Sequence, residues 1–184
     1  MTLKRWYIPS FDFTTIDGWT QSGSGTGEYF YTGTAINQPN YVKLEGTVAE
    51  SGTLGSLAAG TWGWGDNDTL GGDTLYVRLA GSGPPGSSAV QYFYEREETL
   101  LTAEVGKETI ILSLLISNFS DTYDSRITVK HIEGTTTMFE WFIDIVADNS
   151  PFALDSKFVI MPGDKIDFTS NSPFVSIIAS GDES

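Results

Sequence analysis

The sequence predicts an all-β chain of two β modules, the second an antiparallel β-sandwich of about seven strands, Ig-like or jelly-roll-like in its connections. Three observations predict this. Turn signals recur at short intervals, at Asp17-Gly18, Gly23 to Gly27, Glu45-Gly46, Ser51-Gly52, Gly71-Gly72, Gly81 to Gly86, Glu133-Gly134 and Pro162-Gly163. The runs between them are rich in Tyr, Phe, Trp, Val, Ile and Thr, residues that suit a pleated, half-buried surface. No trustworthy amphipathic run of helix length separates them. Ser56 to Gly60 reads as a single turn, and Glu95 to Val105 as a strand or a short helix.

The first residues, Met1 to Ser10, carry Lys4 and Arg5 without the apolar segment of a secretory signal. Trp6, Tyr7, Ile8, Phe11 and Phe13 are too apolar to be left in water, so this stretch reads as an arm gripping a partner subunit. A Gly-rich opening, Asp17 to Gly33, follows without a recognisable pattern. Trp62 and Trp64 lie two apart and share one side of a strand; Leu75, Val77 and Leu79 share a face, leaving Tyr76 and Arg78 on the other. Gly81 to Ser88 contains Pro84-Pro85, which no central strand can hold; it reads as a linker or as a long loop of one domain, and the preferred division is into modules at 1–90 and 91–184.

The second module has the cleaner pattern. Thr109 to Ser117 is nearly continuous in apolar residues, as in a strand covered on both faces. Arg126, Thr128 and Lys130 alternate with Ile127, Val129 and His131. Thr137, Phe139, Trp141, Ile143 and Ile145 form one face of the next strand. Phe158 to Met161 meets the turn Pro162-Gly163, where Gly supplies the positive φ of a type II turn. Lys165 to Phe168 and Phe174 to Ala179 complete the module before an acidic tail, Ser180 to Ser184. The longest apolar stretch, Ile110 to Ile116, falls well short of the about 20 residues of a membrane helix.

Two stretches carry a family resemblance. Leu57-Ala58-Ala59-Gly60-Thr61-Trp62-Gly63-Trp64-Gly65-Asp66, with Asp73 to Leu79, resembles a pattern of bacteriophage structural proteins and tail-associated β modules. Thr109 to Asn118, with Lys157 to Ile166 and Phe174 to Ser180, is similar to the small β-sandwich domains of tailed-phage virions. The resemblance implies a virion component without catalytic residues: a capsid decoration (cement) protein, a head fibre, or a neck or tail adaptor.

Composition narrows the chemistry. The 184 residues carry a formal charge of −14, no Cys and one His. Phosphate binding relies on Lys and Arg, so nucleic acid is not expected as a partner, and neither is an anionic membrane. Disulfides, Cys-zinc sites and thiol nucleophiles are excluded, as is a two-histidine metal site within one chain.

Asp66, Asp68 and Asp73, among Asn67 and Gly-rich turns, form the densest oxygen cluster and are weak candidates for calcium. The preferred reading is a polar turn, since an EF-hand's distal Glu is missing. Trp6, Tyr7, Phe11, Phe13, Trp62, Trp64 and Tyr76 are the candidates for subunit contact or for stacking on a glycan. His131 reads as a satisfied strand histidine. Glu97 with Glu98, and Asp144 with Asp148, are carboxylate pairs that nothing singles out for glycosidase chemistry.

The expected function is therefore non-enzymatic, with no cofactor: a virion protein made in a host cytoplasm and placed on the particle exterior. Its expected partners are phage capsid or tail proteins and further copies of itself, a trimer among the arrangements. The alternatives are a tail or neck adaptor, or a carbohydrate-binding module for host attachment.

Overall fold

The computed structural model describes residues 2–145, 151–155 and 157–184. The described residues form strands and turns without a helix. In chain order the strands are β1 (Thr2–Ile8), β2 (Thr14–Thr15), β3 (Trp19–Gln21), β4 (Tyr29–Tyr31), β5 (Tyr41–Leu44) and β6 (Thr47–Ala49). There follow β7 (Thr61–Gly65), β8 (Thr74–Arg78), β9 (Val90–Phe93), β10 (Arg96–Thr102), β11 (Thr109–Asn118) and β12 (Ser125–Glu133). The last are β13 (Thr136–Ile145), β14 (Pro151–Leu154), β15 (Phe158–Ile160), β16 (Lys165–Ser170) and β17 (Val175–Glu183).

The all-β expectation holds, and the chain divides into two compact units whose limits differ from the single cut at 90/91. One unit joins Met1–Asp12 to Glu95–Ser184; the other is Phe13–Tyr94. The reason is β1. It pairs antiparallel with β17 from Thr2 opposite Glu183 to Ile8 opposite Ile177. The N-terminal segment is thus a strand of its own chain's sheet, where an arm reaching for a partner was expected. The Gly81 to Ser88 segment lies within the second unit, between β8 and β9. Glu95 to Val105 contains β10 and no helix.

In the first unit, one sheet runs β1-β17-β11, with β14 and β15 both on the far side of β11; the other runs β10-β16-β12-β13. β17 alternates buried and half-buried residues along its whole length, with Val175, Ile177 and Ala179 inward. Ile127 and Val129 of β12 and Ile166 and Phe168 of β16 fill the inner face of the second sheet. The two sheets meet where Phe158 of β15 packs edge-on against Trp141 of β13, ring centroids 5.6 Å apart. Each of the two sheets thus has one face filled by alternating apolar residues.

Two glycines have specific jobs. Gly163, at φ 92°, occupies the third position of the Met161–Asp164 turn, closed by a 3.0 Å bond from Asp164 N–H to the Met161 carbonyl. At Gly181 a Cβ would lie 2.1 Å from the Ile110 carbonyl oxygen. Only glycine lets β17 pass the irregularity in β11 between Ile111 and Ser113.

The expected acidic tail is absent as a tail, because β17 continues to Glu183 between β1 and β11. The buried Glu183 carboxylate takes Lys4 at 3.0 Å and Lys107 at 3.3 Å, clasping both ends of the chain to the β10–β11 connection.

The second unit has sheets β2-β9-β5-β6 and β3-β4-β8-β7. β8 has the two faces its alternation implies, but both are buried, including the side of Tyr76, which was expected to be available for contact. Leu75, Val77 and Leu79 enter one apolar cluster with Trp62, Val42 and Val90. Tyr76 enters another with Phe30 and Leu57. The loop before β7 is organised by Glu28, a buried carboxylate accepting the backbone N–H groups of Gly55 (3.1 Å) and Leu57 (2.7 Å).

Two predictions follow from these anchors. Glu28→Ala strands two buried or part-buried donors and should cost about 2–4 kcal/mol in urea unfolding; a loss below about 0.5 kcal/mol would show that water replaces the carboxylate without penalty. At Glu183, the hydrogen bond from Lys4, with a further one from Lys107, holds the carboxyl below its ordinary 4.5 against the opposing effect of burial. A depressed folded-state value means stability present above the unfolded value and lost as pH falls through the folded one. Wild type should therefore lose more thermal stability than Glu183→Gln on acidification from neutral pH to below 4.5. Parallel curves would contradict this.

Candidate functional site

Chemical exposure and apolar character coincide most strongly along the β13 side of the first unit. β13 alternates along Met138-Phe139-Glu140-Trp141-Phe142-Ile143-Asp144-Ile145. Ile143 and Ile145 are buried, and Phe139 and Trp141 are half-buried. Their rings stand 4.3 Å apart, and both touch Phe158, Phe139 at 6.5 Å. His131 leans on Phe139 at 5.0 Å, while its Nε2 lies 3.0 Å from the buried Asp164 carboxylate. The sole histidine is therefore a satisfied strand residue.

On the opposite face, Met138 is 53% exposed and Phe142 69%. Met138 is the extra residue of a bulge, since His131 pairs with Phe139 and Ile132 with Thr137. The bulge puts Thr137 out of step with the face that continues from Phe139, and it is exposed. Phe152, Val159 and Met161 are also exposed, but they belong to β14, β15 and the turn after it, in the other sheet. β13 pairs with β12 alone among the described strands, leaving its other side as a sheet edge. Such an edge offers backbone groups to another chain, while Glu140, Asp144 and the bulge at Met138 are features that restrict which chain can pair there.

Of the carboxylates on this strand, Asp144 has a close cationic partner across the sheet, while Glu140 shares Lys130 with Glu97 at the longer distance. Arg126 Nε donates to Asp144 at 2.8 Å, and Lys130 lies 2.9 Å from Glu97 and 4.0 Å from Glu140. The Arg126 hydrogen bond holds the Asp144 carboxyl below its usual range, and the Glu97 hydrogen bond raises the Lys130 ammonium. These exposed pairs contribute little stability, but they lower the charge of the strip beside the edge.

A second apolar strip crosses the outer face of the other sheet. Tyr7 stands opposite Ile178, Ile178 opposite Leu115, and Leu115 opposite Ala153. Leu3 and Tyr7 are among the most exposed large side chains of the chain.

The sequence candidates are dispersed. Trp6 is half-buried in β1 beside Ala179, and Phe11 is buried. Phe13 lies under the Lys43 ammonium, 3.9 Å from its ring centroid. Trp62 is buried, with its Nε1 donating to the Ala49 carbonyl at 3.0 Å, and Trp64 packs beside the same cluster. Tyr76, fully buried, points to the opposite side of the β7–β8 ribbon. Trp62 and Tyr76 therefore do not share a stacking platform.

The acidic cluster closes turns. Asp66 accepts the backbone N–H groups of Leu70 and Gly71. Asp68 accepts from Ser22, Gly23 and Ser24. Burial works against the charged form of Asp68, yet these bonds outweigh it and hold the carboxyl below its usual value. The Tyr76 hydroxyl accepts from the N–H groups of Asn67 and Asp68, and burial raises its ionisation above the usual tyrosine range. Asp73 is exposed. Among the described residues no three His, Cys, Asp or Glu side chains converge as a metal site. Of the carboxylate pairs, Asp144 binds Arg126 and Asp148 lies outside the described residues.

Sequence reasoning found the inward rings of β13 but missed Met138, Phe142 and Met161. Met138 and Phe142 sit beside Glu140 and Asp144, and their place at a sheet edge emerges only from the pairing order; Met161, at the end of an apolar run, lies in the exposed turn after β15.

No family model matches the chain, and no curated protein or solved structure matches it.

Trp62→Ala decides between core and sugar platform. A core role predicts a loss of about 3–5 kcal/mol in unfolding free energy. An exposed stacking residue would leave the melting temperature unchanged and remove only glycan binding.

Proposed function

We propose that this chain is a non-enzymatic structural protein of a tailed-bacteriophage particle, a capsid decoration protein or head fibre on the exterior, working through protein–protein contacts. The observation that carries the reading is the open edge of β13 with its exposed Met138 and Phe142 side chains, residue types enriched in contact surfaces. Its strand order supports it. With β14 and β15 taken as one interrupted strand, the first unit places its first, eighth, third and sixth strands in one sheet and its second, seventh, fourth and fifth in the other. That is the winding of a jelly roll, an architecture common in viral capsid domains and also in lectins. The sequence resemblance to virion β-sandwich domains points the same way.

The charge of −14 suits an exterior position, since an acidic protein facing packaged DNA would be repelled. Mass spectrometry of gradient-purified particles should find the chain at many copies per particle. Purified particles lacking it, from cells that express it, would overturn the proposal.

A further inference from the structure

A cleft opens in the first unit where β12 begins and β13 ends. Asp124, Ser125, Arg126, Asp144, Ile145 and Asn171 line it, and its volume is about 450 Å³. That lies within the roughly 300–1,000 Å³ of small-molecule sites. The β11–β12 and β16–β17 connections that supply Asp124 and Asn171 are tied together. The Arg126 N–H donates to Asn171 Oδ1 at 2.8 Å, and the Asn171 N–H to the Arg126 carbonyl at 3.2 Å. The buried Asn118 amide donates to the carbonyls of Tyr123 at 2.8 Å and Ile145 at 3.4 Å. The walls are thus set in advance, which lowers the entropic cost of binding.

Ser125 points to a ligand. It is 2% exposed, it lines the cleft, and its hydroxyl has no hydrogen-bond partner among the described residues. A hydroxyl buried without a partner is destabilising, and a ligand that supplies one recovers that energy. The charges narrow the class of ligand. Two carboxylates against one guanidinium leave the cleft slightly acidic, which disfavours a phosphate, a sulfate or an acidic sugar. Arg126 Nε, 2.8 Å from Asp144, disfavours a metal cation, and no three acidic or histidine side chains converge among the described residues. What remains is an array of interleaved donors and acceptors. The guanidinium has N–H groups beyond the one given to Asp144, Asn171 has its amide NH2, the Ser125 hydroxyl does both, and the carboxylates accept. Neighbouring hydroxyls of a sugar, each a donor and an acceptor, match such an array.

The same two connections carry an aromatic stack. Tyr123 lies nearly parallel to Phe174 at 5.7 Å, and Phe119, 50% exposed, meets Phe174 edge-on at 5.9 Å. The exposed ring offers an apolar surface to the C–H face of a further sugar residue. We propose that this cleft binds a neutral saccharide, with Ser125, Arg126 and Asn171 holding its hydroxyls and Asp144 accepting from them. The inference goes beyond the contact role of the β13 edge and does not depend on it, since the site serves the chain on or off a particle.

An array of neutral, sialylated and sulfated oligosaccharides probed with the full chain tests the class, and titration with the strongest neutral binder, followed by NMR, tests the place. Neutral glycans should be retained in preference to the acidic ones. Ser125→Ala breaks no hydrogen bond of the free chain, so its melting temperature should hold while affinity falls about tenfold. Arg126→Ala removes a side chain that is 64% exposed, so circular dichroism should show it folded, with affinity again lowered about tenfold or more. An array that retains no neutral glycan, a preference for the acidic glycans, or an affinity unchanged in both variants would overturn the inference. So would calcium alone shifting the Ser125 and Asn171 amide signals while the glycan leaves them in place. Absence of the chain from purified particles would remove the virion reading and leave this site standing.

Discussion

The ladder between β1 and β17 determines how the rest of the chain is arranged. It sets the first strand beside the last, so β17 lies in the interior of its sheet with partners on both sides. A strand ending in Gly181-Asp182-Glu183 is tolerated there because Glu183 meets Lys4 and Lys107, and because Gly181 allows β11 to approach. Without β1, β17 would be a sheet edge. Residues 13–94 enter and leave the first unit between β1 and β10, which makes the second unit an insertion.

The two units hold their loops by different means. The first relies on long ladders and alternating apolar residues. The second has short strands and Gly-rich connections, and buried polar anchors do much of the positioning. Glu28 binds the turn before β7, while the Tyr76 hydroxyl and the Asp68 carboxylate tie the loop after β7 to the Ser22–Ser24 segment. Such anchors stabilise only while every donor is satisfied, so they make the second unit sensitive to single polar substitutions. Aromatic rings that resemble a binding platform in the sequence are mostly packing between and beside these anchored loops.

Much of the fold was legible from periodicity. The alternating β12 and the Pro162-Gly163 turn are local patterns that form as read, whereas β11, expected to be covered on both faces, buries one and exposes Leu115 on the other, and β8 buries Tyr76 as well as its aliphatic face. What periodicity could not show was long-range pairing. Lys4-Arg5-Trp6-Tyr7 has an arm's composition, and only its register with Ser180 and Ala179 makes it a strand. Ser180 to Ser184 looks like a solvated tail because the partners of Glu183 lie in distant parts of the sequence. The same limit hid the candidate site. Phe139 and Trp141 were recognisable as one face, but that β13 ends a sheet depends on the order of strands far apart in the chain.

The central claim is that this protein works by contact through the β13 edge. Among the described strands the outer amides of β13 have no ladder, and on the proposed reading assembly supplies their acceptors. Hydrogen–deuterium exchange of the dilute chain against its assembled form measures this directly. The account predicts slowed exchange concentrated in residues 136–145, with the β1, β11 and β17 amides already protected in both. Unchanged exchange at 136–145, with new protection confined to residues 13–94, would contradict it.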